Sequence, residues 1–296
     1  MSFRNYRRED YPALCDFLVA LNEPARDHIN WNWARLEWMI EHPEFDKSLR
    51  NSIGLWTADG KIVGAAIYDM YFGEGFCGVL PEYRDCYPCI VEYACKELAD
   101  DAGFRLAVCD ENADEIEQVK RLGFAVADQD ETIMERLLDD DLCPELPGGL
   151  GFVSPDPVAD AYDLEWLFWQ GFDHGADKDE FEKEEEIVPR VRKHFNKDLG
   201  VAVVNETGEL VACCLLWYMT GTDYAYVEPV CTIPSYRGKG IAKAAIFEAL
   251  RRAKKLGAKR AYVISDMEFY EKLGFRKKYR YTFYSRKDVG CETKIG

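Results

Sequence analysis

A glycine-containing turn between a strand pattern and a helix pattern is the part of the sequence best suited to binding an anion. Residues Asp223 to Val230 are rich in strand formers, and residues Ala242 to Leu256 place apolar side chains at helical spacing. The turn between them should leave unpaired backbone N–H groups at the positive end of the helix dipole. Both features favour a bound phosphate. Gly240 matters here because a side chain at that position would keep an anion away from the amides.

The turn lacks the commonest phosphate-binding motifs but matches another. A P-loop needs Gly-Lys-Ser/Thr and a dinucleotide-binding turn needs Gly-x-Gly-x-x-Gly, and neither is present. The turn resembles the Arg/Gln-x-x-Gly-x-Gly/Ala motif of the GNAT acetyltransferases, with Arg237, Gly240 and Ala242 at the fixed positions. Thr232 to Tyr236 resembles the lead-in of that family, and Phe269 to Phe275 resembles its closing helix-to-strand motif. Three segments in the right order therefore carry the resemblance.

The resemblance implies how acetyl-CoA is held. In that family the amides of this loop bind the pyrophosphate, and the loop here comprises Arg237, Gly238, Lys239, Gly240, Ile241 and Ala242. The backbone of Val230, Cys231 and Thr232 is implied to pair with the pantetheine arm, as an added strand would. An ordinary strand end is the alternative for those three residues.

The same resemblance implies that Tyr270 is a general acid that protonates the departing CoA thiolate. A phenol with a pKa near 10 and a thiol with a pKa near 8.5 are reasonably matched for that transfer. The alternative is a packing aromatic, because Phe269 and Phe275 flank it in an aromatic cluster. The family often has an Asn seven residues before this tyrosine, whereas this sequence has Val263.

Glu228 is the candidate general base. It lies on the predicted strand three residues before Cys231, and an amine that is protonated at pH 7 must lose a proton before it can attack. A carboxylate on this strand, acting directly or through water, is a common solution in the family. A glutamate that binds a cationic substrate or pairs with an arginine is the alternative, and Asp223 is a weaker candidate for the base.

The distribution of charge supports a local anionic ligand in an acidic protein. The net charge of −17 over 296 residues argues against general nucleic-acid binding. From Arg237 to Arg280, however, 14 Lys/Arg stand against 4 Asp/Glu, a balance of +10 that leaves −27 for the other 252 residues. Acetyl-CoA, with its pyrophosphate and 3′-phosphate, would fit this stretch. An ordinary solvated helix face is the alternative explanation.

Cysteine usage and hydropathy indicate a cytoplasmic protein without a metal. The eleven cysteines are scattered, mostly in apolar stretches, which favours buried free thiols over a disulfide framework. Cys86 and Cys89 have Cys-x-x-Cys spacing, but a single such pair makes a poor zinc or redox site. The sequence shows neither a signal-peptide pattern nor an apolar run long enough to span a membrane.

The two halves of the sequence resemble each other. Leu80 to Arg84 corresponds to Ile233 to Arg237 at an offset of 153, and Leu122 to Phe124 corresponds to Leu273 to Phe275 at an offset of 151. Each half also contains a hairpin pattern before its motif strand. Matches at a nearly constant offset indicate an internal duplication.

The duplication predicts a mixed α/β fold with two tandem GNAT-like domains. Each half reads as a short strand, one or two helices, a hairpin, a motif strand, a long helix, a strand, a short helix and a final strand. That order predicts a mixed central sheet with helices on its faces. We place the domains at residues 1–140 and 150–296, because acids, prolines and glycines cluster between Asp139 and Gly149.

The halves differ where chemistry is expected. Aligned on their arginines, Tyr87 stands where Gly240 stands and Cys89 where Ala242 stands. Aligned on Leu-Gly-Phe, Val119 stands at the position of Tyr270. The first half therefore lacks both the anion loop and the catalytic hydroxyl. We interpret it as a degenerate domain that acts as a scaffold or as a built-in partner.

The sequence as a whole predicts an acetyl-CoA-dependent N-acetyltransferase in which an amine attacks the thioester directly in a ternary complex. The alternative is a non-catalytic acyl-CoA-binding or regulatory module that keeps the loop and has lost turnover. A metal or redox protein built on the single Cys-x-x-Cys pair is a third, disfavoured reading. The acceptor stays open among a small amine, an antibiotic, an amino acid and a protein N-terminus. Two such halves in one chain favour a monomer.

Overall fold

The computed structural model describes residues 1–23, 26–40, 42, 45–156, 158–184, 187 and 196–287. The chain forms two compact units. The first unit comprises Met1–Ile133 together with Lys277–Gly296, and the second comprises Met134–Arg276.

Strands and helices alternate along the chain in the order that the duplication predicts. The strands are β1 (Ser2–Asn5), β2 (Gly54–Ala58), β3 (Lys61–Asp69), β4 (Tyr71–Val79), β5 (Phe104–Cys109), β6 (Ala125–Leu137), β7 (Gly151–Val153), β8 (Val201–Val204), β9 (Leu210–Tyr218), β10 (Tyr224–Thr232), β11 (Arg260–Ile264) and β12 (Arg276–Arg286). The helices are α1 (Tyr11–Asn22), α2 (Trp33–Ile40), α3 (Tyr87–Glu97), α4 (Ala113–Arg121), α5 (Ala161–Gly171), α6 (Lys178–Glu184), α7 (Ile241–Leu256) and α8 (Glu268–Lys272).

The first unit is a mixed sheet in the order β1-β2-β3-β4-β5-β12-β6, with helices α1 to α4 in its sequence. Strands β1 to β4 pair antiparallel with their neighbours, and β4 pairs with β5 in parallel. The β2–β3 hairpin turns at Asp59-Gly60, where both residues have positive φ. The predicted mixed α/β architecture is confirmed in this unit.

The second unit repeats the pattern in the order β6-β11-β10-β9-β8-β7, with β10 parallel to β11 and antiparallel to β9. Helix α7 forms because its apolar residues recur at helical spacing, and Ala245, Ile246, Ala249 and Leu250 are all buried. They pack with strands β8 to β11 in one hydrophobic core. Gly257, with φ +114, ends the helix in the left-handed conformation.

The last strand of the chain belongs to the first unit. Strand β12 pairs antiparallel with β5, from Tyr281 opposite Cys109 to Arg286 opposite Phe104. Tyr281 is fully buried there, and its hydroxyl accepts a hydrogen bond of 3.1 Å from the Ile29 N–H. The predicted domain of 150–296 includes this strand, whereas the compact units group it with residues 1–133. Its contacts lie with β5 and with the segment after α1, a pairing that sequence order does not reveal.

The segment predicted to be a linker packs on the second unit. Residues 138–150 contain neither helix nor strand. Leu138 and Leu142 are nevertheless buried and belong to the hydrophobic core of that unit. The proline- and glycine-rich composition therefore marks an irregular segment that is held in place at two apolar positions.

The ten cysteines in the described part of the chain are free thiols, seven of them buried. Within the same residues, no three His, Cys, Asp or Glu side chains gather closely enough to hold a metal ion. Among the helices of the described ranges, none combines the length and apolar character needed to cross a bilayer.

Candidate functional site

The site begins where β10 separates from β11. The parallel pairing joins Tyr224 to Arg260, Ala225 to Ala261 and Tyr226 to Tyr262. Strand β10 then runs on for six more residues to Thr232, and over this stretch its one strand partner among the described residues is β9. The edge of β10 that faces β11 is therefore open along Val230, Cys231 and Thr232, the three residues predicted to pair with an extended ligand.

A β-bulge coincides with this separation. Val227 pairs with Leu216 and Val230 pairs with Cys214, so three steps along β10 match two steps along β9. A bulge bends its strand and redirects the backbone. The bulge contains Glu228, whose carbonyl accepts a hydrogen bond of 2.8 Å from the Trp217 indole N–H. This contact holds the redirected backbone against β9.

The loop after β10 has the backbone geometry that the sequence predicts for an anion cradle. A short 3-10 turn at Pro234–Tyr236 leads into Gly238 and Gly240, whose φ values are +74 and +79. A Cβ atom added at either glycine would meet no heavy atom within 4 Å, so the space beside the loop is open. Glycine adopts this left-handed conformation without the strain that other residues incur.

Helix α7 starts at Ile241 directly after the cradle, and no side chain caps it. The first intrahelical bond runs from the Ala244 N–H to the Gly240 carbonyl at 3.1 Å. The N–H groups of Ile241, Ala242 and Lys243 therefore have no helical acceptor and are available to a ligand at the positive end of the helix dipole. The residues present fit an anionic group such as a pyrophosphate.

Arg237 holds the loop in place through its side chain. Its guanidinium donates to the Thr232 carbonyl and to the Gly171 carbonyl, each at 2.9 Å, and pairs with the Asp173 carboxylate at 3.0 Å. The end of β10 is thereby tied to the end of α5. The arginine predicted to belong to the loop contributes its side chain to positioning, and only its backbone is left for a ligand.

A cavity of about 570 Å³ connects these features. The predicted residues that line it are Val230, Cys231, Thr232, Arg237, Gly238, Gly240, Ile241, Ala242 and Tyr270. The Lys239 side chain turns back onto the loop, donating to the Ser235 carbonyl at 2.9 Å and lying over the Tyr236 ring. The cavity therefore runs from the open strand edge past the cradle to helix α8.

Tyr270 lies at the wall of this cavity on α8. Its ring packs edge-on against Phe269 and Phe275, with centroids 5.1 Å and 5.6 Å away, so it is also part of the core. Burial, and then electrostatic interaction with Cys214 and Glu228, raises the pKa of Tyr270 above its usual value. The hydroxyl makes no hydrogen bond within the residues that the structure describes. Tyr270 therefore keeps its proton at neutral pH and presents it to the cavity.

Glu228 is half-buried and does not line the cavity. Its charge nevertheless acts on the site, because it raises the pKa of Tyr270 and of the buried Cys213 and Cys214 thiols. The structure thus brings Tyr270, the cradle and the open strand edge together around one cavity, and places Glu228 behind them in the bulge.

Two buried polar groups of β10 lie at the cavity. The Thr232 hydroxyl is buried and has no hydrogen-bond partner in the described residues, which makes it a ready contact for a polar ligand. The Cys231 sulfur lies 3.6 Å from the Cys213 sulfur and is buried between β10 and α5. Cys231 is therefore a packing thiol whose backbone faces the site.

Some lining residues escaped the sequence analysis. They are Gly171 and Phe172 at the end of α5, Tyr236 and Lys243 around the loop, and Met267 and Phe269 before Tyr270. Gly171 approaches β10 so closely that a Cβ there would lie 2.7 Å from the Cys231 side chain. The sequence does show a glycine at the end of a helix pattern rich in aromatic residues, which could have indicated a close approach. It does not show which strand approaches that glycine.

Comparison with known proteins agrees with this geometry. Residues 158–275 match the model of the acetyltransferase (GNAT) family. A tandem GNAT protein from the clavulanic acid biosynthesis pathway has a TM-score of 0.61 and 16% identity, covering 97% of this chain and 98% of its own. A GCN5-related N-acetyltransferase from Sphaerobacter thermophilus has a TM-score of 0.57 and 17% identity, covering 97% and 95%. A GNAT-family acetyltransferase from Colwellia psychrerythraea has a TM-score of 0.57 and 14% identity, covering 97% and 100%.

The chain therefore has the tandem GNAT fold, and the domain that matches the acetyltransferase (GNAT) family model comprises residues 158–275. Acyl transfer from an acyl-CoA is the chemistry that this fold supports. The cavity described above lies within that domain.

Proposed function

We propose that this chain is an acetyl-CoA-dependent N-acetyltransferase and that its second unit carries out the reaction. The observation that carries the proposal is the continuity of the open β10 edge with the glycine cradle. An extended thiol-bearing arm could pair with Val230 to Thr232 while its phosphates reach the free amides of Ile241 and Ala242. Few other ligands combine a strand-like arm with a pyrophosphate at its end.

The reaction would be a direct transfer. The amine nitrogen forms a bond to the acetyl carbon as the carbon–sulfur bond breaks, one proton leaves the amine, and one proton reaches the sulfur. Glu228 takes up the amine proton, through water because it does not line the cavity, and Tyr270 donates to the sulfur. The raised pKa of Tyr270 makes it a weaker acid in water, but the same burial raises the proton affinity of a sulfur in the cavity.

Replacing Tyr270 by Phe tests the proposal. With a panel of primary amines as acceptors, we expect Tyr270→Phe to lower kcat for thiol release by about 10² to 10⁴-fold, the usual contribution of general acid–base catalysis. The affinity for acetyl-CoA should change less than about twofold, because the ring and its packing remain.

Tyr236→Phe is the matched control. Tyr236 also lines the cavity, but its hydroxyl accepts a hydrogen bond from the Asn205 amide at 3.2 Å and so is already engaged. Its kcat should stay close to that of the native chain. A Tyr270→Phe protein that keeps full kcat would show that the tyrosine is only a packing residue.

A non-catalytic acyl-CoA-binding module is the second candidate, and the position of Glu228 outside the cavity lining favours it. The two functions separate in one assay. A catalyst releases CoA thiol only when an amine is present, whereas a binding module is stabilised by acetyl-CoA and releases none with any amine of the panel.

A further inference from the structure

The first unit contains a cavity of about 210 Å³ that the proposed acetyl transfer does not use. It lies beside the end of β4, the start of α3, the start of α4 and the segment after α1. The corresponding elements of the second unit surround the acyl-CoA cavity. At about 30 Å³ per water molecule, the first cavity has room for roughly seven waters, or for one small organic molecule.

The polar groups at this cavity differ in kind from those at the cavity of the second unit. Tyr87 replaces the cradle glycine, and its hydroxyl donates a hydrogen bond of 2.6 Å to the Glu115 carboxylate. Asn112 donates to the other oxygen of Glu115 at 2.9 Å, and the His28 Nε2 lies 3.6 Å from that oxygen. Both Tyr87 and Glu115 are more than nine-tenths buried. A buried Tyr–Glu–His group thus stands where the second unit presents free amides.

The cavity is short of positive charge. Burial raises the pKa of Glu115 to about 8 and lowers the pKa of His28 to about 4, so near neutrality both side chains are mostly uncharged. Burial also raises the pKa of Asp27, whose carboxylate makes no hydrogen bond to any residue in the described ranges. The Arg84 side chain, which also lines the cavity, is 64% exposed and lies 3.7 Å from the Asp114 carboxylate. Burial is thus the first cause by which the carboxyl groups of Glu115 and Asp27 hold their protons more tightly.

We propose that this cavity binds a small organic ammonium ion, with its nitrogen between the carboxyl groups of Glu115 and Asp27. A cation would supply the missing charge and stabilise the ionised form of Glu115, whose proton would leave to solvent. An anion such as a CoA phosphate is disfavoured, because Asp27, Asp114 and Glu115 line the space and Tyr87 stands at the position of the cradle glycine. The apolar side of the cavity, formed by Leu21 and Val79, suits a short aliphatic chain.

Binding should depend on pH through Glu115. The groups that face it are Tyr87 from α3, His28 and Asp27 from the segment after α1, and Cys77 from β4. The pKa values of Tyr87 and Cys77 are raised well above their usual values, so neither titrates below pH 9. Affinity for an ammonium ion should therefore rise by more than about tenfold between pH 6.5 and pH 8, where Glu115 ionises.

Titration calorimetry with n-propylammonium chloride in amine-free phosphate buffer tests the proposal. We expect 1:1 binding at pH 8, weaker binding at pH 6.5, and no binding of propionate or 1-propanol. Glu115→Gln should lower the affinity at least about tenfold while keeping a side chain that can bond to Tyr87. Glu117→Gln is the control, because Glu117 lies on the same helix but is exposed.

The outcomes are distinct. If Glu115→Gln does not fold, Asp27→Asn takes its place and should weaken binding in the same direction. The proposal is overturned if propylammonium does not bind at pH 8, if it binds both Glu115→Gln and Asp27→Asn as tightly as the native chain, or if propionate binds better. Stabilisation by acetyl-CoA is measured separately, so a failure here leaves the acyltransferase proposal standing.

Discussion

The two units each place a turn between a strand and a long helix, and the turns differ at several positions, among them the position of Gly240. In the second unit Gly240 has φ +79 and precedes α7, leaving open space beside the amides. In the first unit Tyr87 is the first residue of α3, with φ −52 and a buried ring. The fold forms with either glycine or tyrosine at this position. The helix that follows therefore starts after either residue, and we predict that anion binding depends on which residue occupies the turn.

The strand before the turn differs as well. Strand β10 carries an extra residue between Val227 and Val230, whereas β4 pairs without interruption from Gly75 to Val79. Strand β4 has its own register shift, but nearer its start, between Tyr71 and Gly75. It pairs with β5 at Glu74 and Gly75 and then runs on to Val79, as β10 runs on past its pairing with β11. The first unit has thus lost the cradle, and its strand is irregular at a different place. It keeps a smaller cavity in the same place.

The largest effect should follow from removing β12. A chain that ends at Arg276 lacks Tyr281 and Phe283, which are buried in the first unit, and deleting a buried aromatic side chain alone costs about 3–5 kcal/mol. We expect the amides of β5 to lose their protection from hydrogen exchange. A chain that ends at Lys287 keeps the strand and is the control. Equal protection of β5 in both chains would contradict the assignment of β12 to the first unit.

Tyr87→Gly gives the next largest effect. It removes a buried ring and should destabilise the first unit by about 3–5 kcal/mol. It should not create acyl-CoA binding, because Asp85 and Cys89 still stand where Gly238 and Ala242 stand, and Val119 stands in place of the tyrosine of α8. The matched variant Tyr87→Phe removes only the hydroxyl that bonds Glu115 and should cost about 1–3 kcal/mol.

Urea unfolding measures the loss of stability in the Tyr87 variants. Repeating it with acetyl-CoA shows whether a variant has gained acyl-CoA binding. A Tyr87→Gly protein that gained a second acyl-CoA site would show that the single side chain alone separates the two units.

A smaller effect is expected in the pH dependence of the stability of the first unit. Glu115 holds its proton up to about pH 8 in the folded chain but only to about 4.3 when unfolded, so between pH 6.5 and 8 the folded state binds more protons. The unfolding free energy of the first unit should therefore fall as pH rises, by up to about 1.4 kcal/mol per pH unit. Below pH 6.5 the effect of His28, whose folded pKa is lowered to about 4, runs the other way and offsets the slope.

Glu115→Gln should remove the decrease in unfolding free energy between pH 6.5 and 8, and the control Glu117→Gln should keep it. The urea midpoint of the first unit, followed through a dye on the exposed Cys89 in a Cys143→Ser background, reports the change. A native chain as stable at pH 8 as at pH 6.5 would contradict the raised pKa of Glu115.

The order of the elements and the position of the glycine loop before α7 could be predicted from the sequence, and anion binding by that loop stays a prediction. Turn glycines, helical spacing and the repeated motifs are local signals, and they placed both hairpins, α7 and the loop after β10 correctly. The predicted tandem GNAT fold is confirmed by the comparison with solved structures. The roles of Tyr270 and Glu228 stay predictions.

The position of β12 could not be predicted. Its pairing with β5 joins residues about 170 positions apart, and a duplicated sequence suggests that each half closes its own sheet. The role of the Arg237 side chain could not be predicted either. Its partners, the carbonyl of Gly171 and the carboxylate of Asp173, are distant in the sequence and come close to it only in the folded chain.

The cavity of the first unit was missed for a related reason. Tyr87 was noticed as the residue that blocks the cradle, but its partner Glu115 lies 28 residues away on another helix. Sequence comparison of the halves shows which groups are lost. The groups gained in exchange become visible only when His28, Tyr87 and Glu115 are seen together.

Thermal unfolding with and without acetyl-CoA tests most directly the claim that the second unit alone holds the acyl-CoA. At about 100 times its dissociation constant the ligand should stabilise the native chain by about 2.7 kcal/mol. Gly240→Tyr should abolish that shift. Gly208→Tyr, which adds the same side chain at a positive-φ glycine of the β8–β9 turn, should retain it. A native chain that does not shift, or a Gly240→Tyr chain that shifts as much as the native one, would contradict the account.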